Sequence, residues 1–397
     1  MAFPSSGARG SLLGHSRPQL ELLLSEMGEK SYRASQIMRW FYHQKIDDFQ
    51  RMTDLSKSLR SCLDEALEVR RSPVRSIAKA RDGVLKWIVE VEGGGAVEAV
   101  LIPDRGRNTL CVSSQVGCAL NCSFCATGKQ GYAGNLSTAD IVSQVWHATD
   151  HLAGAEGSGS ELTNVVFMGM GEPLLNLDAV LPAVSILMDD MAFGLSKRRV
   201  TISTAGVVPG IRRLCGRTDA SLAISLHAPN NELRSELVPM NRKYPIEDLL
   251  DACRSYLSTL GDRRVLTFEY TLLAGINDSV PLASELADLV GGLRAKVNLI
   301  PFNPFPGAAY RRPGPEAVLA FQNTLRRRGI MATCRATRGD QINAACGQLV
   351  GEFQDRTRRR QRQMHACRAD SVLSVEWGDR PGWAPNAAVV EAGDVRA

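Results

Sequence analysis

The chain has 397 residues, of which 44% are hydrophobic and 22% charged, and it carries a net charge of +5. These proportions describe a soluble globular protein with one large domain and an accessory unit, and they exclude a disordered or fibrous chain. No apolar run reaches membrane-span length and no signal-like start is present, so a cytoplasmic protein with no membrane association is expected.

Taken in order, residues 1–70 carry clustered apolar positions spaced for short packed helices: Leu20, Leu22, Leu23 and Leu24, then Ile37, Met38, Trp40 and Phe41, then Met52, Leu55 and Leu59. Lys30, Arg33, Arg39, His43, Lys45, Arg51 and Lys57 interleave them. Such a module either grips RNA backbone with a basic face or is a plain bundle. Trp40, Phe41 and Tyr42 read as core. Residues 71–107 change rhythm: Lys86–Glu92 and Ala96–Ile102 alternate around Gly93-Gly94-Gly95, which predicts a β-hairpin. Glu98 sits among apolar neighbours, either as an exposed strand position or as an acid facing a site.

From residue 108 to about 350 the pattern repeats strand, turn and helix. The strand candidates are Thr109–Ser113, Leu162–Met168, Arg199–Ser203, Ser221–Leu226, Val265–Leu272, Lys296–Pro301 and Met331–Ala336. A capping-box-like start at Ser137 and Asp140 opens the clearest helix. Alternation of this kind gives an α/β fold with a parallel sheet and helices outside, open or barrel-like, whose site lies at the carboxyl ends of the strands. At those ends stand Gly169-Met170-Gly171-Glu172-Pro173, Ser203, Ser225-Leu226-His227 and Asn303. Each alone is an ordinary turn residue; together they suit a ligand with amino, carboxylate and ribose groups. Residues 351–370 are basic, with Arg356, Arg358, Arg359, Arg360 and Arg362 against Asp355, and fit either a polyanionic partner or a solvated helix end. Residues 371–397 have no periodicity and read as a disordered tail.

The chemistry concentrates in Cys118, Cys122 and Cys125. Three thiols at C-x₃-C-x₂-C spacing can hold an iron–sulfur cluster and leave one iron open, where four cysteines would close it. A zinc knuckle would call for a second cysteine pair at zinc-site spacing, and none occurs. Cys111 and Cys346 also lie beside predicted strand ends, but position alone barely separates them from Cys62, Cys215, Cys253, Cys334 and Cys367.

The cysteine loop after the first strand resembles the radical S-adenosylmethionine (SAM) superfamily. The wording of Cys111-Val112-Ser113-Ser114-Gln115-Val116-Gly117-Cys118, Gly169–Pro173, Ser225-Leu226-His227-Ala228 and Arg338-Gly339-Asp340 through Ala345-Cys346-Gly347 resembles the RlmN family, over about residues 20–365. That resemblance implies a partial (βα)6 barrel with a helical N-terminal accessory domain and a β-hairpin extension. It implies methylation of carbon 2 of an adenosine in 23S rRNA and, in many members, in tRNA. It assigns a [4Fe–4S] cluster to Cys118, Cys122 and Cys125, and SAM contacts to Gly171, Glu172, Ser203, Ser225, Leu226, His227 and Asn303. Two SAM molecules are used per turnover: one methylates Cys346, the other yields the radical that activates this methyl group for attack on the base. Cys111 then releases the product through a transient disulfide, with Glu98 moving a proton. A flavodoxin-like electron donor and a monomer are expected. Ala133-Gly134 departs from the polar and basic residues common there and bears on RNA affinity. The rival functions are a Cfr-like methylation of carbon 8 and a non-catalytic Fe–S RNA-binding protein.

Overall fold

The computed structural model describes residues 9–154, 161–261 and 264–351. The chain starts with the two-residue strand β1 (Gly10–Ser11), followed by helices α1 (Arg17–Glu26), α2 (Arg33–Met38) and α3 (Lys57–Ala66), and then β2 (Leu67–Glu68), which pairs in parallel with β1. Local signals set the helix starts. Pro18 pre-sets the first turn of α1, and Ser56 Oγ accepts the amide of Leu59 at 3.2 Å to cap α3.

The sequence reads this helical module as separate, but its apolar face is spent on the rest of the chain. Phe41 and Tyr42 are buried: Phe41 stacks on Trp146 at 4.6 Å and Tyr42 meets Phe193 edge-on at 5.2 Å. Arg17 pairs with Asp189 and Asp190 at the edge of this contact. Burying a Phe side chain in this way contributes about 2–3 kcal/mol, enough to fix the module in place.

The next strands are β3 (Val74–Lys79), β4 (Leu85–Glu90), β5 (Ala96–Asp104) and β6 (Arg107–Cys111), each antiparallel to the one before. The predicted hairpin is β4–β5, with Gly93, Gly94 and Gly95 all at positive φ in its turn. It is part of the main sheet, since β5 pairs with β6. A short antiparallel pair, β7 (Gln115–Gly117) and β8 (Tyr132–Asn135), brackets the cysteine loop and α4 (Ala126–Gln130). Ala133 and Gly134 lie on β8.

The alternating part runs α5 (Thr138–Ala153), β9 (Asn164–Phe167), α6 (Leu177–Met188), β10 (Val200–Thr204), α7 (Val208–Leu214), β11 (Ser221–Ser225), α8 (Asn231–Leu237), α9 (Ile246–Thr259), β12 (Leu266–Leu272), α10 (Val280–Val290), β13 (Ala295–Pro301), α11 (Pro315–Arg327) and β14 (Met331–Cys334). The expected cap at Ser137 is present, with Ser137 Oγ accepting from Asp140 N at 3.1 Å and the Asp140 carboxylate accepting from Ser137 N at 3.1 Å. All strands join one ten-stranded sheet in the order β14-β13-β12-β11-β10-β9-β6-β5-β4-β3, apart from the two small pairs. Neighbours from β6 to β14 are parallel. Six strand–helix units thus end on β14, and the sheet stays open as a partial (βα)6 barrel. On the helix-covered face of the sheet Val165, Ile202, Leu222, Ile224, Phe268 and Val297 fill the layer between sheet and helices, while the opposite face carries polar residues such as Thr201, Thr267, Glu269 and Asn298. Among the described residues no helix is long and apolar enough to cross a membrane. The basic stretch from Gln354 to Cys367 and the tail after it lie outside the described residues.

Candidate active site

The carboxyl ends of the strands face the cysteine loop. Gly117 has φ +77° and Asn121 φ +60°, so the loop turns sharply on either side of Cys118; Asn tolerates the left-handed region better than most residues. Cys118 N donates to Gly131 O at 2.6 Å, Ser123 N to Leu237 O at 3.1 Å and Cys125 N to Cys122 O at 3.2 Å. Cys118, Cys122 and Cys125 all pack on one small apolar cluster built from Leu120, Phe124, Ala205, Ala228, Leu237, Val238, Leu273 and Phe302. Burial, followed by repulsion from Cys118 and Cys125, holds the Cys122 thiol well above its usual range, and burial raises Cys125.

Glu172 is buried on the loop after β9. Its Oε2 accepts Ala205 N at 2.8 Å and its Oε1 accepts Leu174 N at 3.1 Å, while burial pushes its pKa up to about 7. The preceding glycines serve packing. A Cβ on Gly171, at φ +97°, would stand 2.5 Å from Gln115 Cβ, and one on Gly169 would stand 2.7 Å from Val112 O. The loop after β9 is pressed against the one after β6 before any ligand is considered.

Ser203 and Ser225 lie on β10 and β11, with Leu226 and His227 just beyond. Leu226 is fully buried and offers the site only its backbone. His227 has φ +61°, and its Nδ1 accepts Thr271 N at 3.0 Å; burial and the nearby Arg234 depress its pKa to about 3, so the ring is neutral. Phe124 of the cysteine loop meets this ring edge-on at 4.5 Å.

Sequence reasoning missed the group that ties these ends together. Arg234, on α8, is fully buried and donates to Ala205 O at 2.7 Å, Asn241 Oδ1 at 2.8 Å, Leu226 O at 3.1 Å and Ser225 O at 3.3 Å. One guanidinium therefore spans the ends of β10 and β11.

The two solitary cysteines come together on the other side. Cys111 ends β6. Burial pushes its thiol up to about 12, the neighbouring Cys346 adds to this, and Arg335 opposes it. Arg335, just past β14, directs Nη1 at Cys346 Sγ at 3.7 Å, a second residue the sequence did not single out. Asn303 donates to Cys346 O at 3.4 Å and accepts from Thr337 Oγ1 at 3.0 Å. The segment around Cys346 also reaches the cysteine loop, where Ala126 N donates to Gly347 O at 2.8 Å. Glu98 is buried on β5; its Oε1 pairs with Lys86 Nζ at 2.7 Å and its Oε2 accepts Val350 N at 3.0 Å. Burial raises its pKa against the pull of Lys86. Glu98 is therefore not an exposed strand position.

With the geometry in hand, the relatives agree. The family described as Ribosomal RNA large subunit methyltransferase N-terminal domain matches residues 11–69, and the Radical SAM superfamily matches residues 112–283. A "Dual-specificity RNA methyltransferase RlmN" from Alkalilimnicola ehrlichii is 54% identical over 352 residues, 89% of this chain and 97% of that protein. The chain belongs to the RlmN family. Another RlmN, from Marinobacter nauticus, is 52% identical over 89% of this chain and 95% of its own length. The crystal structure of a radical SAM methyltransferase from Sphaerobacter thermophilus superposes with a TM-score of 0.77 at 44% identity, over 86% of this chain and 99% of that one. This RlmN-family enzyme is a radical SAM methyltransferase, with a [4Fe–4S] cluster and SAM as cofactors.

The residues fit the cluster. Three thiols on one dry apolar patch are the donor set and dielectric such a group calls for. Among the described residues no three ligating side chains are drawn together as a single ion would draw them, and a four-iron cluster, whose cysteines bind different irons, does not require it.

Proposed function

We propose that this enzyme methylates carbon 2 of an adenosine in 23S rRNA and of one in tRNA, with Cys346 carrying the methyl group. The observation that carries the reading is the approach of Cys346 to Cys111 and Arg335 beside the cysteine loop. An Fe–S protein that only binds RNA has no use for a second, cluster-independent pair of thiols. The names of the relatives supply the RNA substrates and dual specificity.

In this reading Cys118, Cys122 and Cys125 hold the cluster. Gly171, Glu172, Ser203, Ser225, Leu226, His227 and Asn303 line the SAM site. When bound, the cluster and SAM supply one-electron chemistry, which an electron-poor aromatic carbon needs because it cannot attack a sulfonium methyl by displacement. The chain's own residues do the rest. Cys346 supplies the sulfur nucleophile that takes a methyl group. Cys111 resolves the protein–RNA thioether by attacking the Cys346 sulfur: the S–S bond forms, the S–C bond to the base-linked carbon breaks, and that carbon takes the electron pair and a proton to become the methyl group. Glu98, its carboxyl raised by burial against the pull of Lys86, receives or returns a proton. Neutral His227 and the Arg234 guanidinium hold backbone amides and carbonyls of the strand ends in place.

We further assign RNA contacts to the helical module of residues 1–70 and to the basic residues 351–370, with 71–107 as a hairpin extension, 108–350 as the catalytic barrel and 371–397 as a tail. A flavodoxin-like electron donor, a monomeric state and a cytoplasmic location complete the proposal. Anaerobic reconstitution followed by incubation with 23S rRNA and tRNA fragments tests it. Nucleoside mass spectrometry should show 2-methyladenosine with the wild type and none with Cys346→Ala; 8-methyladenosine instead would replace the reading with the carbon-8 chemistry.

A further inference from the structure

The turn between β5 and β6 holds a residue that its backbone does not suit. Asp104 pairs with Arg107 across the two strands, so the connection is two residues long, Arg105 and Gly106. Both take positive φ, +43° and +77°, as a tight hairpin of this kind demands. Asn or Asp fits the first of these positions, because a short polar side chain bonds locally there. A long arginine gains nothing of that sort. Arg105 is exposed, and among the described residues it has no ion-pair partner. Backbone strain kept in the open, with no contact to justify it, points to a use outside the fold.

The turn borders a cavity of about 710 Å³ along the inner face of the sheet, within the roughly 300–1,000 Å³ of ligand-sized sites. Asp104, Arg105 and Arg107 line it at the amino end of β6, and Arg335 lines it beyond the carboxyl end of β14. Arg335 also lines a smaller cavity of about 40 Å³ that includes Cys346. Deep inside, Glu269 stands among Lys296, Arg335 and Asn298, which donates to it at 2.7 Å, so charge is matched there. The mouth is different. Arg338 is tied down, donating to Pro103 O at 2.7 Å and Asp82 O at 3.0 Å. Arg107 reaches Asp104 only at 3.6 Å across exposed surface, a pairing that another anion displaces at little cost. Two arginines are therefore available. The walls carry Thr109, Thr201 and Thr267 and, among the described residues, no aromatic ring on which a base would stack, so they suit sugar and phosphate.

We propose that Arg105 and Arg107 are phosphate contacts at the mouth of this cavity, gripping the backbone of the RNA strand whose adenosine reaches Cys346. This rests on the reading of the chain as an RNA adenosine methyltransferase and names where the strand enters. The RNA meets the sheet at the amino ends of its strands, whereas the groups assigned to SAM sit at the carboxyl ends. Substrate and SAM then approach the methyl-carrying sulfur from opposite ends of the barrel. A guanidinium meets a phosphate through a fork of two N–H···O bonds, which accounts for arginine where asparagine would suit the turn.

The test titrates the cluster-reconstituted full chain into a labelled RNA hairpin with an unpaired adenosine in its loop, read by fluorescence anisotropy across a salt series. Arg105→Asn relieves the turn, so its midpoint of thermal unfolding should equal or exceed that of the wild type. Its RNA affinity at about 0.1 M salt should nevertheless fall roughly three- to fivefold, and the slope of log K against log salt should shrink by roughly 0.7. Arg107→Gln, on a strand, should weaken binding likewise, while Arg105→Lys should keep the slope and lose part of the affinity. Arg254→Gln, exposed on α9 in the helical layer, removes the same charge and should change neither quantity. Unchanged affinity and slope in Arg105→Asn and Arg107→Gln would overturn the proposal, as would an equal loss in Arg254→Gln. Displacement of the hairpin by inorganic phosphate as readily as by unlabelled RNA would mark a plain anion hole and overturn it too. Nucleoside mass spectrometry of the same mixtures separates the two readings: absence of methylated adenosine with the wild type would remove the functional reading, while the mouth stands or falls on affinity and slope.

Discussion

Replacing Arg234 by Met tests whether the strand ends that carry Ser225, Leu226 and Ala205 are held by one buried cation. Met matches much of the side chain's length and volume, so the change removes hydrogen bonds and charge without opening a large void. The guanidinium serves four acceptors at 2.7–3.3 Å: the Ala205, Leu226 and Ser225 carbonyls and Asn241 Oδ1. Each acceptor left dry and unpaired costs about 1–3 kcal/mol, while removal of a buried charge returns part of its desolvation penalty. The balance is a loss of about 3–5 kcal/mol, the range found when one partner of a buried charged network is deleted. At roughly 2 °C per kcal/mol for a chain of this size, the midpoint of thermal unfolding should fall by about 6–10 °C. SAM titrated calorimetrically onto the reconstituted variant should also bind more weakly, because the ends of β10 and β11 are no longer tied together. A variant that loses less than about 1 kcal/mol and binds SAM as the wild type does would refute the scaffold role.

His227→Asn isolates a titration. Asn tolerates the φ of +61° and can offer Oδ1 to Thr271 N in place of Nδ1, so the turn should survive. The native histidine pKa is depressed from 6.5 to about 3, so between those values the unfolded chain binds a proton the folded chain refuses. Wild-type stability should therefore fall as pH drops from about 6.5 toward 3, by at most ~1.4 kcal/mol per unit from this group, and the fall should be shallower in the variant by urea unfolding. Gly171→Ala places a Cβ 2.5 Å from Gln115 Cβ at a φ of +97°, and urea unfolding should show a loss of at least about 2 kcal/mol. An unchanged midpoint would mean the loops after β6 and β9 can separate freely. For Cys122→Ala, iron and sulfide content after anaerobic reconstitution should drop to background while far-ultraviolet circular dichroism keeps the wild-type shape; retained iron would remove this cysteine from the ligand set.

The parallel strands were legible because their helix-facing positions are apolar and their ends carry small polar residues, as in Ser221–Ser225. The hairpin was legible from its three glycines, and the start of α5 from Ser137 and Asp140. The strand β3 was not. Val74–Lys79 is an edge strand with four of its six positions exposed, so no apolar alternation marks it, and only its pairing with β4 makes it part of the sheet. Among site residues, the short-range pattern gave the cysteine loop and the rim of strand ends. Arg234, Arg335 and Lys86 were silent for one reason: a single charged residue reads as solvated until tertiary structure brings it a buried partner. The glycines of Gly169–Pro173 have a packing reason that the sequence did not show. Sequence suggests close approach to a ligand, whereas their Cβ positions are already filled by Ser113, Val112 and Gln115.

What makes two cysteines distant in the sequence into a pair is the segment after the last strand, whose described part holds one short 3₁₀ turn, Asp340–Ile342, and no strand of the main sheet. Its hold on the core includes a series of single bonds to separate parts of the chain. Gln348 Nε2 donates to Pro304 O at 2.8 Å, Thr127 Oγ1 donates to Leu349 O at 2.7 Å, Val350 N donates to Glu98 Oε2 at 3.0 Å, and Gly351 N donates to Gln130 Oε1 at 2.9 Å. Two of these partners, Thr127 and Gln130, belong to α4, which leads directly out of the cysteine loop. Irregular backbone with this many separate tethers is positioned by the sum of its contacts and has little local stability of its own. Through Thr127 and Gln130, α4 ties the strap that presents Cys346 to the cysteine loop. Cluster loading should therefore slow amide exchange in residues 346–351 as well as in residues 118–130. If exchange slows only in the cysteine loop, the strap is placed by β14 and Glu98 alone, and the tie through Thr127 and Gln130 is incidental.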